Sequence, residues 1–206
     1  MKYLKKDPAS KIIEENLTYI ENCTTTNRRL RELLEVEQNH FCAYTEKKIS
    51  NLDSVEVEHF DPKLKGHDDY YNYYAVIRCA NQKKTAKERK KRFSGAPFFE
   101  SRFFQKPAGF ADRIAYVAED HVYEERSEKD EEAKMFIDYL SLNDFSLVVD
   151  RTNHISRLRA LFDDSEALKA YLTSHPEETS FPTAIEAAFG ITLTEVSEND
   201  SDASDR

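Results

Sequence analysis

The chain has 206 residues, 39% of them hydrophobic and 33% charged, with a formal net charge of −9. Its 13 Phe and 11 Tyr are enough for a core and exclude global disorder, and the length favours one domain with appendages. Only 4 glycines argue against a glycine-rich nucleotide fold or a turn-dense sandwich, the acidic balance argues against a nucleic-acid coat, and no apolar run approaches the ~20 residues of a membrane span.

The opening run MKYLKKDPASK is basic but has no apolar stretch of the kind a secretory signal needs. Cys23, Cys42 and Cys79 are odd in number and form no Cys-x-x-Cys pair, which fits a reducing cytoplasm. Residues 10–36 read as two helices: Ile12, Ile13, Leu17 and Ile20 line one, Leu30, Leu33 and Leu34 the other, with a break at Cys23–Asn27. Val55 and Val57 alternate with Glu56 and Glu58, which is strand periodicity. The turn signal Asn51–Ser54 pairs that strand with Lys48-Ile49 as a hairpin, ended by Pro62. Tyr70–Ile77 is apolar and aromatic and should be buried, and Asn81–Phe93 has helical composition. Downstream, a phenylalanine-rich stretch (Phe98 to Phe110) leads to a short strand at Ile114–Val117 and an acidic, exposed run at Glu119–Glu132. Helices follow at Ala133–Leu142, Asn153–Leu172 and Pro182–Phe189. The expected organisation is α+β: a helical segment at 1–37, a chemistry-bearing centre at 38–95, a mainly helical extension at 96–190 and a disordered acidic tail at 191–206.

Charge is segregated along the chain. From Arg78 to Arg92 eight cationic residues accompany a single acid, Glu88, giving a window of +7 on an acidic body. Such a stripe, with Arg78, Lys83, Lys87, Arg89 and Lys90 as its candidates, suits phosphate contact, although a solvated helix face has the same composition. Directly before it stands Glu58-His59-Phe60-Asp61-Pro62-Lys63, followed by Asn72 and by Asn81-Gln82-Lys83-Lys84. Phosphodiester hydrolysis needs an activated water and charge relief on the leaving oxygen. A histidine at a strand end can deprotonate water, and a carboxylate and an asparagine carbonyl can hold a hard divalent cation. A lysine can hold phosphate as a point charge, and a second asparagine can fix the histidine. Plain structural uses compete: Asn81 as a helix cap, the tyrosines of 70–74 as core, and His59 as a core histidine.

The order Glu58-His59, Asn72, then Asn81 with Lys84 three residues on resembles the motif of the HNH, or ββα-metal, endonucleases. The resemblance implies a ββα-metal core within a mainly helical domain. It casts His59 as general base, Asn72 as its orienting partner, Glu58 and Asn81 as ligands of Mg²⁺ or Mn²⁺, and Lys84 as a phosphate contact. The string EHFDPK is similar to the EHFRPK signature of PtuB-like HNH proteins, the nuclease components of Septu-type anti-phage systems. The stretches Gln38–Tyr44 and Ala133–Arg151 resemble that group too, so the likeness spans about residues 27–172. It implies a cytoplasmic DNA endonuclease working with a PtuA-like ABC-type ATPase. An RNA-cleaving toxin and a catalytically silent HNH scaffold are the alternatives.

The departures concern zinc. The group carries two Cys-x-x-Cys knuckles, whereas here Cys42 is followed by Thr45, and Ile77 and Ala80 stand where the second pair belongs. A tetrahedral structural zinc needs four N or S ligands. The purified protein should therefore carry no stoichiometric zinc. About one zinc per chain after dialysis, or unfolding on chelation, would contradict this.

Overall fold

A strand with no polar residue on either side must be covered on both faces, and the run Tyr73-Tyr74-Ala75-Val76-Ile77 is of that kind. In the computed structural model, which describes residues 1–90, 93, 101–106 and 108–193, it forms β2 (Tyr73–Ile77), with all five residues buried. Its antiparallel partner is β1 (Val55–His59), in a register running from Val55 opposite Ile77 to His59 opposite Tyr73. The expected hairpin with Lys48-Ile49 is thus replaced by a longer-range pairing. Residues 41 and 48 form only an isolated bridge, and the Ile49 N–H goes to the His40 carbonyl. The buried faces of β2 demand a partner more strongly than the Asn51–Ser54 turn does.

Side-chain alternation divides the core. Tyr73 and Ala75 face α2 (Thr24–Glu37), with Leu30, Leu33 and Leu34 and, from the short α1 (Lys11–Glu14), Ile12; Val55 and Val57 pack on the same side. Tyr74 and Val76 face the larger cluster, with Tyr44, Phe60, Phe104 and Phe136. Helix α3 (Arg78–Glu88) follows β2 without a loop, and its Ala80 enters this cluster. Phe103, Phe104 and Phe110 are core, while Phe98 and Phe99 lie outside the described residues.

Gly109 opens α4 (Gly109–Arg113) because a Cβ there would come within 2.1 Å of the Phe103 carbonyl oxygen. The second antiparallel pair is β3 (Ile114–Val117) with β4 (Val122–Glu125). β4 lies inside the run expected to be acidic and exposed; Tyr123 is buried there, so the alternation of one aromatic among glutamates was the strand signal. Next come α5 (Glu131–Tyr139), α6 (Phe145–Leu161), α7 (Ser165–Ser174) and α8 (Pro182–Phe189). The single helix expected over 153–172 is two helices. Phe162 turns extended, and the Asp164 carboxylate accepts from the Ala167 N–H as a new N-cap, as Asp130 and Asp144 do for α5 and α6. The tail expected from residue 195 lies outside the described residues. No helix among the described residues is long and apolar enough to cross a membrane.

Two buried polar groups tie these layers together. Glu46 accepts from the Lys2 N–H at 2.6 Å, Thr183 Oγ1 at 2.9 Å and Tyr123 Oη at 3.2 Å, so one carboxylate joins the N-terminal segment, β4 and α8. His154 on α6 is buried edge-on to Phe181, its Nδ1 3.1 Å from Arg157. Burial, then the Arg157 guanidinium, hold this imidazole down to about 4.

A histidine with a depressed folded pKa contributes stability above its unfolded value of about 6.5 and loses it as pH falls toward 4. The expected result is that His154→Phe lowers the acid sensitivity of the melting temperature between pH 7 and pH 4.5. An identical pH profile in the variant would count against this assignment.

Candidate active site

His59 is the last residue of β1, and its ring continues the side of Val55 and Val57. It meets Tyr19 and Tyr73 edge-on, with centroids at 4.8 and 5.4 Å. Its Nδ1 lies 2.5 Å from Asp68 Oδ2. A carboxylate can only accept, so Nδ1 carries the proton and the neutral ring keeps its lone pair on Nε2. Burial pushes the Asp68 carboxyl up, but hydrogen bonds from Asn72 and His59 outweigh it and hold the group below the usual carboxylate range. Asn72, expected to contact His59 itself, acts one step removed. Its Nδ2 donates to Asp68 Oδ2 at 2.9 Å and to the Asp61 carbonyl at 3.0 Å. Its Oδ1 accepts from the Asp61 N–H at 2.9 Å and from Arg102 Nη2 at 3.1 Å.

The other side of β1 faces α3. Glu58 is buried beside Lys84, whose ammonium ion-pairs with both Glu58 and Glu88 and donates to the His59 carbonyl at 3.0 Å. Lys84 is 1% exposed, so it is the counter-ion of Glu58 rather than a free phosphate contact; the three-residue offset from Asn81 turns it inward, toward the strand. Burial pushes the Glu58 carboxyl up, and Lys84 opposes that shift. Asn81, one turn before Lys84, donates to Glu56 Oε2 at 2.9 Å, and Arg78 reaches Glu56 Oε1 at 2.6 Å. Adjacent strand residues alternate sides, which is why the His59 ring and the Glu58 carboxylate diverge. Among the described residues no hydrogen bond joins His59 to Asn81.

Two acceptor atoms of this region are buried without a hydrogen-bond partner, His59 Nε2 and Asn81 Oδ1, as is the donor Arg102 Nη1; Glu58 Oε1 is taken up by its ion pair with Lys84. Orphaned buried acceptors cost about 1–3 kcal/mol each and call for a water, an ion or a ligand. Among the described residues no three His, Cys, Asp or Glu side chains are grouped to hold a metal, so a cation here would rest on the Glu58 and Asn81 oxygens.

The basic stripe is largely spent inside the fold. Arg78 pairs with Glu56, Lys83 with Asp144, and Lys87 with Asp138 at 2.5 Å. Arg89 and Lys90 are exposed, and Lys91 and Arg92 lie outside the described residues. These acids come from β1, α5 and α6, so a count of charges along α3 could not reveal them. Near the expected zinc knuckles, Cys42 Sγ accepts the Ile77 N–H at 3.4 Å, and Cys42, Ile77 and Ala80 share the apolar core. Cys79 is exposed.

Asp68 and Arg102 are the residues that sequence reasoning missed. Asp68 lies in a polar loop with no periodicity, and its only signal was a carboxylate 9 residues after His59. Arg102 follows a break in the phenylalanine-rich stretch. Comparison of the chain with protein-family models, curated proteins and solved structures returns no match.

Lys84→Met should strand the buried Glu58 carboxyl, remove the partner of the half-buried Glu88 and lower stability by about 3–5 kcal/mol. Adding Glu58→Gln should restore part of the loss. Chemical denaturation measures both, and purely additive losses would show that the pair is not coupled.

Proposed function

We propose that this chain is a metal-assisted phosphodiesterase of the HNH type, an endonuclease of DNA acting in anti-phage defence beside a PtuA-like ABC-type ATPase. The observation that carries the reading is that two of the buried acceptors left without a partner, His59 Nε2 and Asn81 Oδ1, belong to residues that the motif assigns to the base and the cation. The order of an antiparallel strand pair running directly into a helix supports it as well.

In this reading His59 Nε2 takes the proton of the attacking water. Asp68 holds the tautomer that leaves Nε2 free and stabilises the imidazolium formed on proton transfer. Asn72 holds Asp68, and Arg102 in turn holds Asn72. Tyr19 and Tyr73 flank the imidazole, and substrate entry displaces the Tyr19 edge to reach Nε2. Glu58 and Asn81 provide hard oxygen donors suited to Mg²⁺ or Mn²⁺, which when bound would relieve charge on the leaving oxygen. Lys84 opposes the upward push of burial on the Glu58 carboxyl, and the exposed Arg89 and Lys90 contribute phosphate contact. A second reading, a silent scaffold of the same ancestry, is favoured by two observations: Lys84 already ion-pairs with Glu58, and β1 sends the His59 ring and the Glu58 carboxylate to opposite sides.

The test is nicking of supercoiled plasmid, with total RNA as the parallel substrate, in Mg²⁺ or Mn²⁺. His59→Ala should lower cleavage by about 10²–10⁴-fold while the fold is kept. Asp68→Asn should lower the turnover rate with little effect on KM, because it acts through His59. No metal-dependent cleavage of either substrate by the wild-type protein, alone or with the ATPase, selects the scaffold reading.

A further inference from the structure

A second polar region lies away from His59, where the N-terminal segment, α4 and the β3–β4 pair meet. They enclose a cleft of about 400 Å³. Its lining is largely aromatic and aliphatic: Phe104, Phe110, Ile114 and Tyr123 are buried and Tyr116 is half-buried. Tyr116 Oη lies 3.0 Å from His121 Nδ1 and Tyr123 Oη donates to Glu46, so both hydroxyls are engaged and both rings are pinned. Among the described residues the charged side chains lining the cleft are Lys2, Lys5, Lys106 and Arg126, all cationic, with no carboxylate. Lys2 is engaged with Glu186 and Arg126 donates its Nε to the Ala111 carbonyl, which leaves the terminal guanidinium nitrogens of Arg126 directed by a fixed stem; Lys106 is exposed.

On a chain of net charge −9, a cleft with only positive charge at its edge is a place where an anion is favoured over the rest of the surface. The pinned aromatic floor selects a flat ring, since stacking on an immobile aromatic is gained at little entropic cost. The volume sets the size: ligand cavities start at about 300 Å³, so this one takes a single ring system with a short anionic arm, not a dinucleotide or a strand. We propose that this cleft binds a nucleoside monophosphate, its base against Tyr116 and Phe110 and its phosphate between Lys106 and Arg126. The pairing follows from burial, since Phe110 is buried and Tyr116 half-buried while Lys106 and Arg126 are exposed. The wall that supplies Phe104 belongs to residues 102–106, which also contact β2 and its approach. Arg102 bonds Asn72, and Gln105 Nε2 donates to the Tyr71 carbonyl at 2.6 Å and to Tyr74 Oη at 2.8 Å.

Isothermal titration of the full chain with AMP, GMP, CMP and UMP tests this, with adenosine and inorganic phosphate as separate arms. The expected result is saturable one-to-one binding of at least one nucleotide, with adenosine and phosphate each at least about tenfold weaker, because each lacks one half of the contacts. Lys106→Glu and Arg126→Glu should each weaken it by about tenfold or more, as the loss of a charge-assisted hydrogen bond does. Lys106 is exposed, so its variant keeps the fold intact. Tyr116→Ala should weaken nucleotide but not phosphate binding. His59→Ala should leave binding unchanged, which separates this site from the proposed hydrolytic one. Absence of saturable binding up to millimolar nucleotide overturns the proposal. So does equal affinity for phosphate alone, or wild-type affinity in Lys106→Glu and Arg126→Glu together.

Discussion

The arrangement around His59 depends on one side chain amide. Asn72 is almost fully buried, and both its hydrogens and both its lone pairs are used: two bonds to the Asp61 main chain, one to Asp68, one from Arg102. The Asn72 carbonyl also accepts the Phe60 N–H, extending the β1–β2 ladder past its last pair. A 13-residue connection between antiparallel strands is too long for a tight turn to impose its register, and this amide clamps its two ends instead. Only with the ends clamped does Asp68 reach His59 from within the connection.

The two sides of β1 do different electrostatic work. On the α2 side an imidazole, a carboxylate and an amide form a chain of hydrogen bonds with the tyrosines of 19 and 73 around them. On the α3 side the buried Glu58 and Lys84 and the half-buried Glu88 form an ion-paired triad of two carboxyls around one ammonium, with Tyr139 Oη donating to Glu88 at 3.1 Å. Such a triad is costly to desolvate and is a weak source of stability, yet removing a single member is expensive.

The basic run on α3 shows how charge along a helix and charge at a surface differ. Four of its cations meet acids: Arg78 and Lys84 pair with β1, while Lys83 and Lys87 hold α3 against the helical half of the molecule. Positive potential reaches solvent instead at Arg89 and Lys90 and, in a separate place, around the aromatic cleft beside β3 and β4.

Local pattern alone was enough for much of this protein. The α+β class, the strand at 55–58, the burial of 70–77 except for the exposed Tyr71, the strand at 114–117 and the helix at 182–189 all follow from periodicity and from turn and cap residues, which act within a few positions. What only the tertiary structure decided are the pairings between distant segments. β1 chose β2 over the nearer Lys48-Ile49 because β2 had two apolar faces to cover. Lys84 turned inward because Glu58 and Glu88 met there, and β4 emerged from an acidic run because Tyr123 found the core. Asp68 became the partner of His59 because Asn72 closed the loop that carries it. Each of these outcomes depends on what lies across space from a residue, and that is information no local window of sequence contains.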